Sequence, residues 1–374
     1  MKIFYVIDSL NVGGAETIVT NYLIQFKQKG HEVALVELFS KKTFLRDKLI
    51  KNNIPIYTLF AQRQTFCQRV KRKIFLQHFC AKYFHRLLTN EAPDIVHFHG
   101  IIMPFAKIRM EFNKVFYSFH TDVNRYIDIY GKKYSKILRN WLKKGATAFA
   151  LNEQMCICAK NILRSERVYT IYNGLDIKEI SQNRYERNDF LKTLAIPNDA
   201  FVMGHVGRFH PVKNHEKVID VFCEVLKREK NAYLLLIGDT SEKQYIKIKD
   251  IVESQQLRDR VYFLGLRQDA TAIISVFDAF VLPSYQEGLP LVAIESQAHK
   301  VRTVVSSAIP EEVICSNMCF SLSVNEPSSI WADCILGKGQ KESVDSLLKF
   351  DIDNVLAQLT NKYKEVLLER NDAR

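Results

Sequence analysis

Short apolar runs alternate with longer amphipathic stretches along almost the whole chain, and this alternation constrains the fold more than any other feature. Lys2–Ile7 is followed by a Gly-containing turn and a helical pattern over Ala15–Lys29, then come Glu32–Leu38, a helix near Phe44–Asn52 and Pro55–Leu59. A long helical pattern leads to Ile95–His99, Val115–Phe119, Ala146–Leu151 and Val168–Ile171. Strand and helix alternating in this way predict a parallel sheet with helices on both faces. The polar stretch Asp176–Asp199 reads as a linker with one short helix. A second alternation follows, with strands at Phe201–Val206, Ala232–Ile237, Val261–Leu264, Ala279–Leu282 and Thr303–Val305. The expectation is an α/β chain of two doubly wound, Rossmann-like domains, 1–175 and 176–350, with a C-terminal helix over 351–374 whose apolar face needs a surface to cover. With 374 residues, 47% of them apolar, each domain can bury its own core. In such sheets ligands sit beyond the carboxyl ends of the strands, so chemistry is expected in the turns that follow them.

Charge divides the chain. Through residue 175 there are 28 Lys and Arg against 12 Asp and Glu, and the remainder holds 25 against 29. The densest part is Arg63, Arg69, Lys71, Arg72, Lys73, Lys82 and Arg86, interleaved with Phe66, Val70, Ile74, Phe75, Phe79, Tyr83 and Leu87 at helical spacing. A basic amphipathic helix of this kind suits an anionic membrane surface, and it also fits a core-packed helix with a solvated basic face. No nucleic-acid recognition motif accompanies the charge, so nucleic acid is not expected as a partner. The first residues read as a strand rather than a secretory signal, and no stretch is long and charge-free enough to span a bilayer. The eight cysteines show no paired CxxC spacing, as expected of ordinary thiols in a reducing compartment. A cytoplasmic protein, peripheral on the inner face of the membrane, is the expectation.

Three motifs follow strands. Pro283-Ser284-Tyr285-Gln286-Glu287-Gly288-Leu289-Pro290 runs into a helix that carries Glu295, which places two carboxylates eight positions apart. The helix start after Pro290 offers free N–H groups to an anion, and Glu295 can accept hydrogen bonds from vicinal hydroxyls. An ordinary acidic helix start reads equally well. Gly207-Arg208 with Lys213 gives two cations on the loop after another strand, a pattern suited to a diphosphate, and both are expected on the cleft surface. Gly13-Gly14 after the first strand does not make GxGxxG, so a nicotinamide fold is not indicated. His97, His99 and His120 end apolar runs; His97 reads as a satisfied strand-end histidine, and no third metal ligand is apparent near His97 and His99.

Together these spacings resemble the GT-B retaining glycosyltransferases of family 4, the glycosyl transferases group 1 type. The ordered set is Gly13-Gly14-Ala15-Glu16, Asp94-Ile95-Val96-His97-Phe98-His99, Ser118-Phe119-His120-Thr121-Asp122, Tyr172-Asn173-Gly174-Leu175-Asp176, Gly207-Arg208 with Lys213-Asn214, Leu236-Ile237-Gly238-Asp239, Phe263-Leu264-Gly265, and Glu287 with Glu295. The resemblance covers nearly the whole chain. It implies two domains facing across a cleft, with the last helix crossing back to the first, acceptor-side domain. It departs from the family at Ser296, Lys300 and Arg302, where an Ala, a Gly and a Pro are usual, which bears on the local backbone.

The resemblance implies that Arg208 and Lys213 hold the diphosphate of a nucleotide-sugar donor, a UDP-sugar, and stabilise the leaving group. It implies that Glu295 binds the ribose, that Glu287 meets the donor sugar, and that His120 stands at the anomeric centre. Gly13, Gly14, Gly207, Gly265, Gly288, Leu289, Pro290 and Leu291 would complete the donor contacts. No metal or other cofactor is expected. The implied acceptor is a lipid-linked or membrane-associated glycan of bacterial capsule, exopolysaccharide or lipopolysaccharide assembly. A GT-B sugar-nucleotide epimerase and a non-catalytic nucleotide-sugar-binding protein are the alternatives.

Overall fold

The computed structural model of the protein describes residues 1–11, 13–60, 66–241, 243–337 and 345–368; side chains are described from Leu76 in the helix that starts at Phe66, and from Leu347 in the turn before Asp351. It divides into two compact units, residues 1–174 with the C-terminal helix, and residues 175–351.

Unit 1 runs β1 (Lys2–Ile7), α1 (Gly14–Gln28), β2 (Glu32–Phe39), α2 (Phe44–Lys51), β3 (Ile56–Phe60), α3 (Phe66–Glu91), β4 (Ile95–His99), β5 (Val115–Ser118), α4 (Val123–Tyr130), α5 (Lys132–Lys143), β6 (Thr147–Ala150), α6 (Glu153–Leu163) and β7 (Val168–Thr170). The strands make one parallel sheet in the order β3-β2-β1-β4-β5-β6-β7. Every residue of β4 is buried, as expected where helices cover both faces of a parallel sheet. Its side chains alternate between the faces. Phe98 meets Phe84 of α3 and Trp141 of α5, with ring centroids 5.8 and 5.0 Å apart. His97 turns the other way, toward the C-terminal helix Ile352–Leu368. That helix buries Ile352, Val355, Leu356, Leu359, Tyr363 and Val366. It is pinned through Tyr363, whose Oη lies 2.6 Å from His97 Nδ1, while His97 Nε2 lies 2.8 Å from Ser118 Oγ. His97 thus has both nitrogens satisfied.

Much of the basic amphipathic segment, from Arg63 to Phe75, lies outside the residues whose side chains are described. In the described part of α3, Phe84 and Leu87 are buried, whereas Phe79 (45% exposed) and Tyr83 (40%) stand out beside exposed Lys82 and Arg86. A second such corner lies between α4 and α5, where Ile129 and Tyr130 are exposed next to Lys132, Lys133 and Lys136. No described helix is long and apolar enough to cross a membrane.

Unit 2 runs α7 (Ile177–Gln182), α8 (Arg187–Thr193), β8 (Phe201–Val206), α9 (His215–Arg228), β9 (Ala232–Ile237), α10 (Lys243–Ser254), β10 (Val261–Gly265), α11 (Ala270–Ile274), β11 (Ala279–Leu282), α12 (Leu291–Ala298), β12 (Arg302–Ser306), β13 (Cys319–Leu322) and α13 (Ser328–Leu336). Its parallel sheet has the order β10-β9-β8-β11-β12-β13. The core gathers Met203, Val218, Phe222, Leu234, Val281 and Trp331. The expected linker is instead two docked helices. Asp176 caps α7 through Glu179 N, Phe190 and Leu191 of α8 are buried, and the Arg187 guanidinium donates to Ala200 O and Asp278 Oδ2, each at 2.8 Å. A few well-spaced apolar residues dock a segment whose overall composition is polar. The structure adds β13 and α13, which the strand and helix patterns do not announce.

The departures at the end of α12 resolve locally. Lys300 adopts the left-handed conformation (φ 61°) that a glycine would take there, and Val301 N donates to Ser296 O at 3.0 Å to close the helix. Ser296 pairs with Thr303 inside the core, and Arg302 donates to the Cys334 carbonyl while stacking on Phe320.

Candidate active site

In both sheets the strand order reverses once, between β1 and β4 in unit 1 and between β8 and β11 in unit 2. Adjacent loops there leave in opposite directions and open a crevice at the carboxyl ends. Each unit gathers expected residues at its own reversal.

In unit 2, β8 ends at Val206 and the chain passes through Gly207, Arg208 and a single tight turn, Pro211–Lys213, before α9. His210 Nδ1 accepts from Val212 N at 3.2 Å, and Asn214, in the left-handed region (φ 54°), caps α9 by accepting from Lys217 N. These bonds fix Lys213. Tyr285 N donates to Val212 O at 2.9 Å, which ties the loop after β11 to the loop after β8. Across that tie Lys213 Nζ donates to Glu287 Oε1 at 2.6 Å. The two side chains are only 17% and 14% exposed, whereas Arg208 is exposed. The loop is held from behind by a close backbone approach: a Cβ on Gly238 would lie 2.0 Å from Gly207 O, so only glycine fits at the end of β9. Beneath it, burial pushes His205 down to about 4 and His215 down to about 2, so neither ring is charged at neutral pH. Positive charge at this strand end therefore comes from Arg208 and Lys213.

Gly288, Leu289 and Pro290 lead into α12, whose first residue is Leu291 and whose N-cap, Pro290, supplies no side-chain bond. Ala293 N donates back to Pro290 O at 3.0 Å, and the N–H groups and positive dipole end at such a helix start favour an anion. One turn on, Glu295 accepts from Thr271 of α11, and burial pushes its carboxyl up to about 7 against that bond. Thr271 carried no sequence signal; it becomes visible only because α11 packs beside α12. Gly265 ends β10, two strands from the reversal, in the left-handed region (φ 68°), and its carbonyl accepts from Gly238 N at 3.0 Å. It shares the row of strand ends but not the Lys213–Glu287 cluster.

In unit 1, Gly13 is the extended N-cap of α1, and nothing lies within 4 Å of where a Gly14 side chain would start. His120 follows β5, its backbone N donating to Tyr126 Oη at 3.2 Å. His120 Nε2 lies 3.1 Å from His99 Nδ1 at the end of β4. A cavity of about 330 Å³ lined by His85, Leu88, Pro93, Arg109, Met110 and Lys114 lies at the opposite, amino ends of β4 and β5 and gathers none of the expected residues.

Two family models match the chain in tandem, Glycosyltransferase Family 4 over residues 12–179 and Glycosyl transferases group 1 over residues 186–322. "Putative glycosyltransferase EpsF" of Bacillus subtilis is 24% identical over 97% of this chain and 96% of its own length. The Escherichia coli "UDP-Gal:alpha-D-GlcNAc-diphosphoundecaprenol alpha-1,3-galactosyltransferase" is 26% identical over 60% of each chain. Among solved structures, Anabaena Alr3699/HepE in complex with UDP-glucose superposes with a TM-score of 0.76 at 18% identity, over 98% of this chain and all of that one. A glycosyltransferase from Rickettsia africae gives 0.77 at 17% identity, over 98% of both chains. The chain is a glycosyltransferase of the GT-B class.

Proposed function

We propose that this glycosyltransferase retains anomeric configuration and moves a sugar from a UDP-sugar to a lipid-linked or membrane-associated glycan in bacterial surface-polysaccharide assembly. The observation that carries the donor reading is the Lys213–Glu287 pair on the loops at the strand reversal, with exposed Arg208 on the same loop as Lys213 and the start of α12 following Glu287. Arg208 and Lys213 hold the diphosphate and stabilise the charge that grows on it, the N–H groups of Gly288, Leu289 and Leu291 meet phosphate or sugar oxygens, Glu287 orients the sugar, and Glu295 accepts from the ribose hydroxyls. His120, with Gly13 and Gly14, is the group that the resemblance assigns to the sugar and its anomeric centre. As the acceptor oxygen bonds to the anomeric carbon, the bond to the diphosphate oxygen breaks and the leaving phosphate takes the acceptor proton. Neither a protein base nor a metal is needed in this scheme. The names of the relatives support the polysaccharide setting, and the E. coli relative is named for a UDP-sugar donor and a diphosphoundecaprenol-linked acceptor. The exposed aromatic and aliphatic side chains set among lysines on α3 and at the α4–α5 corner support a membrane-held acceptor. The test is transfer from a panel of UDP-sugars to undecaprenyl-diphosphate-linked saccharides, with the anomeric coupling of the product read by NMR. An inverted product refutes retention, and an epimerised sugar nucleotide formed without acceptor refutes transfer.

A further inference from the structure

The buried histidine at the end of β4 has a contact that its neighbours do not explain. His99 is 4% exposed, its ring sits against Tyr5 and His97 (centroids 4.4 and 4.2 Å apart), and its Nε2 is buried without a hydrogen-bond partner. Its other nitrogen, Nδ1, lies 3.1 Å from Nε2 of His120, the two rings stacked at 26°. Gly100, in the left-handed region (φ 69°), makes the space: a side chain there would start 3.0 Å from Tyr126 Oη and 3.7 Å from His120 Cδ2. Burial lowers His120 to about 4 and His99 well below the ordinary histidine range, so both rings are neutral near pH 7 and share one proton across the contact.

Two arrangements satisfy that contact. If His120 donates, His99 must carry its proton on Nε2, which buries an N–H with no acceptor. If His99 donates from Nδ1, only a bare lone pair is left inside, and His120 holds its own proton on Nδ1. Orphaned buried N–H groups are the rarer of the two defects in folded proteins, and an unmet donor forfeits its full hydration. We propose that His99 is a positioning residue that donates from Nδ1 to His120 and so fixes His120 as the Nδ1–H tautomer, a hydrogen-bond donor toward the substrate rather than a base. This rests on the placement of His120 at the reacting centre. It assigns the imidazole the task of donating to a sugar or phosphate oxygen and leaves the acceptor proton to the leaving phosphate.

The test is two-bond proton–nitrogen correlation of the full-length protein with 15N-labelled histidine, which shows which ring nitrogen carries the proton. The expected spectrum has His120 and His99 both protonated on Nδ1. His120 protonated on Nε2 overturns the proposal, and because the wild type suffices for this reading, it does not depend on any variant folding. In H99F, His120 is expected to lose the single-tautomer pattern and transfer to fall on the order of tenfold to a hundredfold, the scale of losing a histidine's orienting partner, with UDP affinity unchanged. H99N, whose amide N–H stands near the lost Nδ1–H, is expected to restore both the pattern and most of the rate; failure to restore the pattern counts against the donor role of His99. Unchanged transfer in H120A, with the wild-type spectrum as expected, refutes the placement of His120 at the reacting centre instead.

Discussion

Lys213 and Glu287 come from loops 74 residues apart and meet at 2.6 Å with little water around them. A charge-assisted bond is worth about 1.5–3 kcal/mol net. Removing one member of a fully buried pair costs about 3–5 kcal/mol, because the other charge is left uncompensated. The residual exposure of both side chains lets water reach a stranded partner, so K213A and E287A should each destabilise unit 2 by about 2 kcal/mol. The double variant strands nothing and should cost little more than either single change, a coupling of about 1–2 kcal/mol. Urea unfolding followed by Trp331, which is buried in the unit 2 core, reads this directly once Trp141→Phe silences the chain's other tryptophan. Strict additivity would show that the two groups do not hold each other and would remove the reason for treating them as one prepared site. R208A, on an exposed side chain, should leave the same transition in place.

Three further outcomes are expected. Because burial raises the Glu295 carboxyl to about 7 against an unfolded value near 4.3, the folded state binds the extra proton, so this group's contribution to stability is complete below about pH 4 and is lost as pH rises through 7; E295Q should therefore unfold at a higher temperature than wild type at pH 8 and show no such advantage near pH 4, and equal melting at both pH values would refute the desolvated carboxyl. Lys300→Gly, which suits the left-handed backbone at φ 61°, should stabilise unit 2 by about 0.5–1 kcal/mol in denaturant titration, and a loss would show that the Lys300 side chain contributes more than the backbone strain costs. Sedimentation with anionic vesicles should show binding that weakens with salt and falls when Lys82, Arg86, Lys132, Lys133 and Lys136 become Gln, each lysine or arginine near the surface contributing about 1 kcal/mol; equal binding to neutral vesicles would refute the basic face.

The strand ends were legible because fully buried parallel strands read as unbroken apolar runs, and Gly207-Arg208 and Pro283–Pro290 interrupt such runs abruptly. The pairing of Lys213 with Glu287 was not legible: it depends on β11 lying beside β8, an adjacency that strand spacing alone does not impose. Likewise nothing in His99 or His120 taken singly announces their contact, which follows from β4 pairing with β5 in register, His99 opposite Ser118. The helices α7 and α8 were hidden by polar composition, since four buried side chains, Ile177, Ile180, Phe190 and Leu191, are enough to dock them. At Lys300 the reverse holds, because the backbone keeps the turn that a glycine would favour although the residue is not glycine.

On the proposed reading, the reversal between β8 and β11 binds the nucleoside diphosphate of the donor through Arg208. Isothermal titration of UDP into the wild-type protein and into R208A checks this binding. One-to-one binding by the wild type, weakened by a factor of about ten or more in R208A as one charge-assisted contact is lost, is the expected result. Absence of UDP binding to the folded wild type, or the same affinity in R208A, would contradict it.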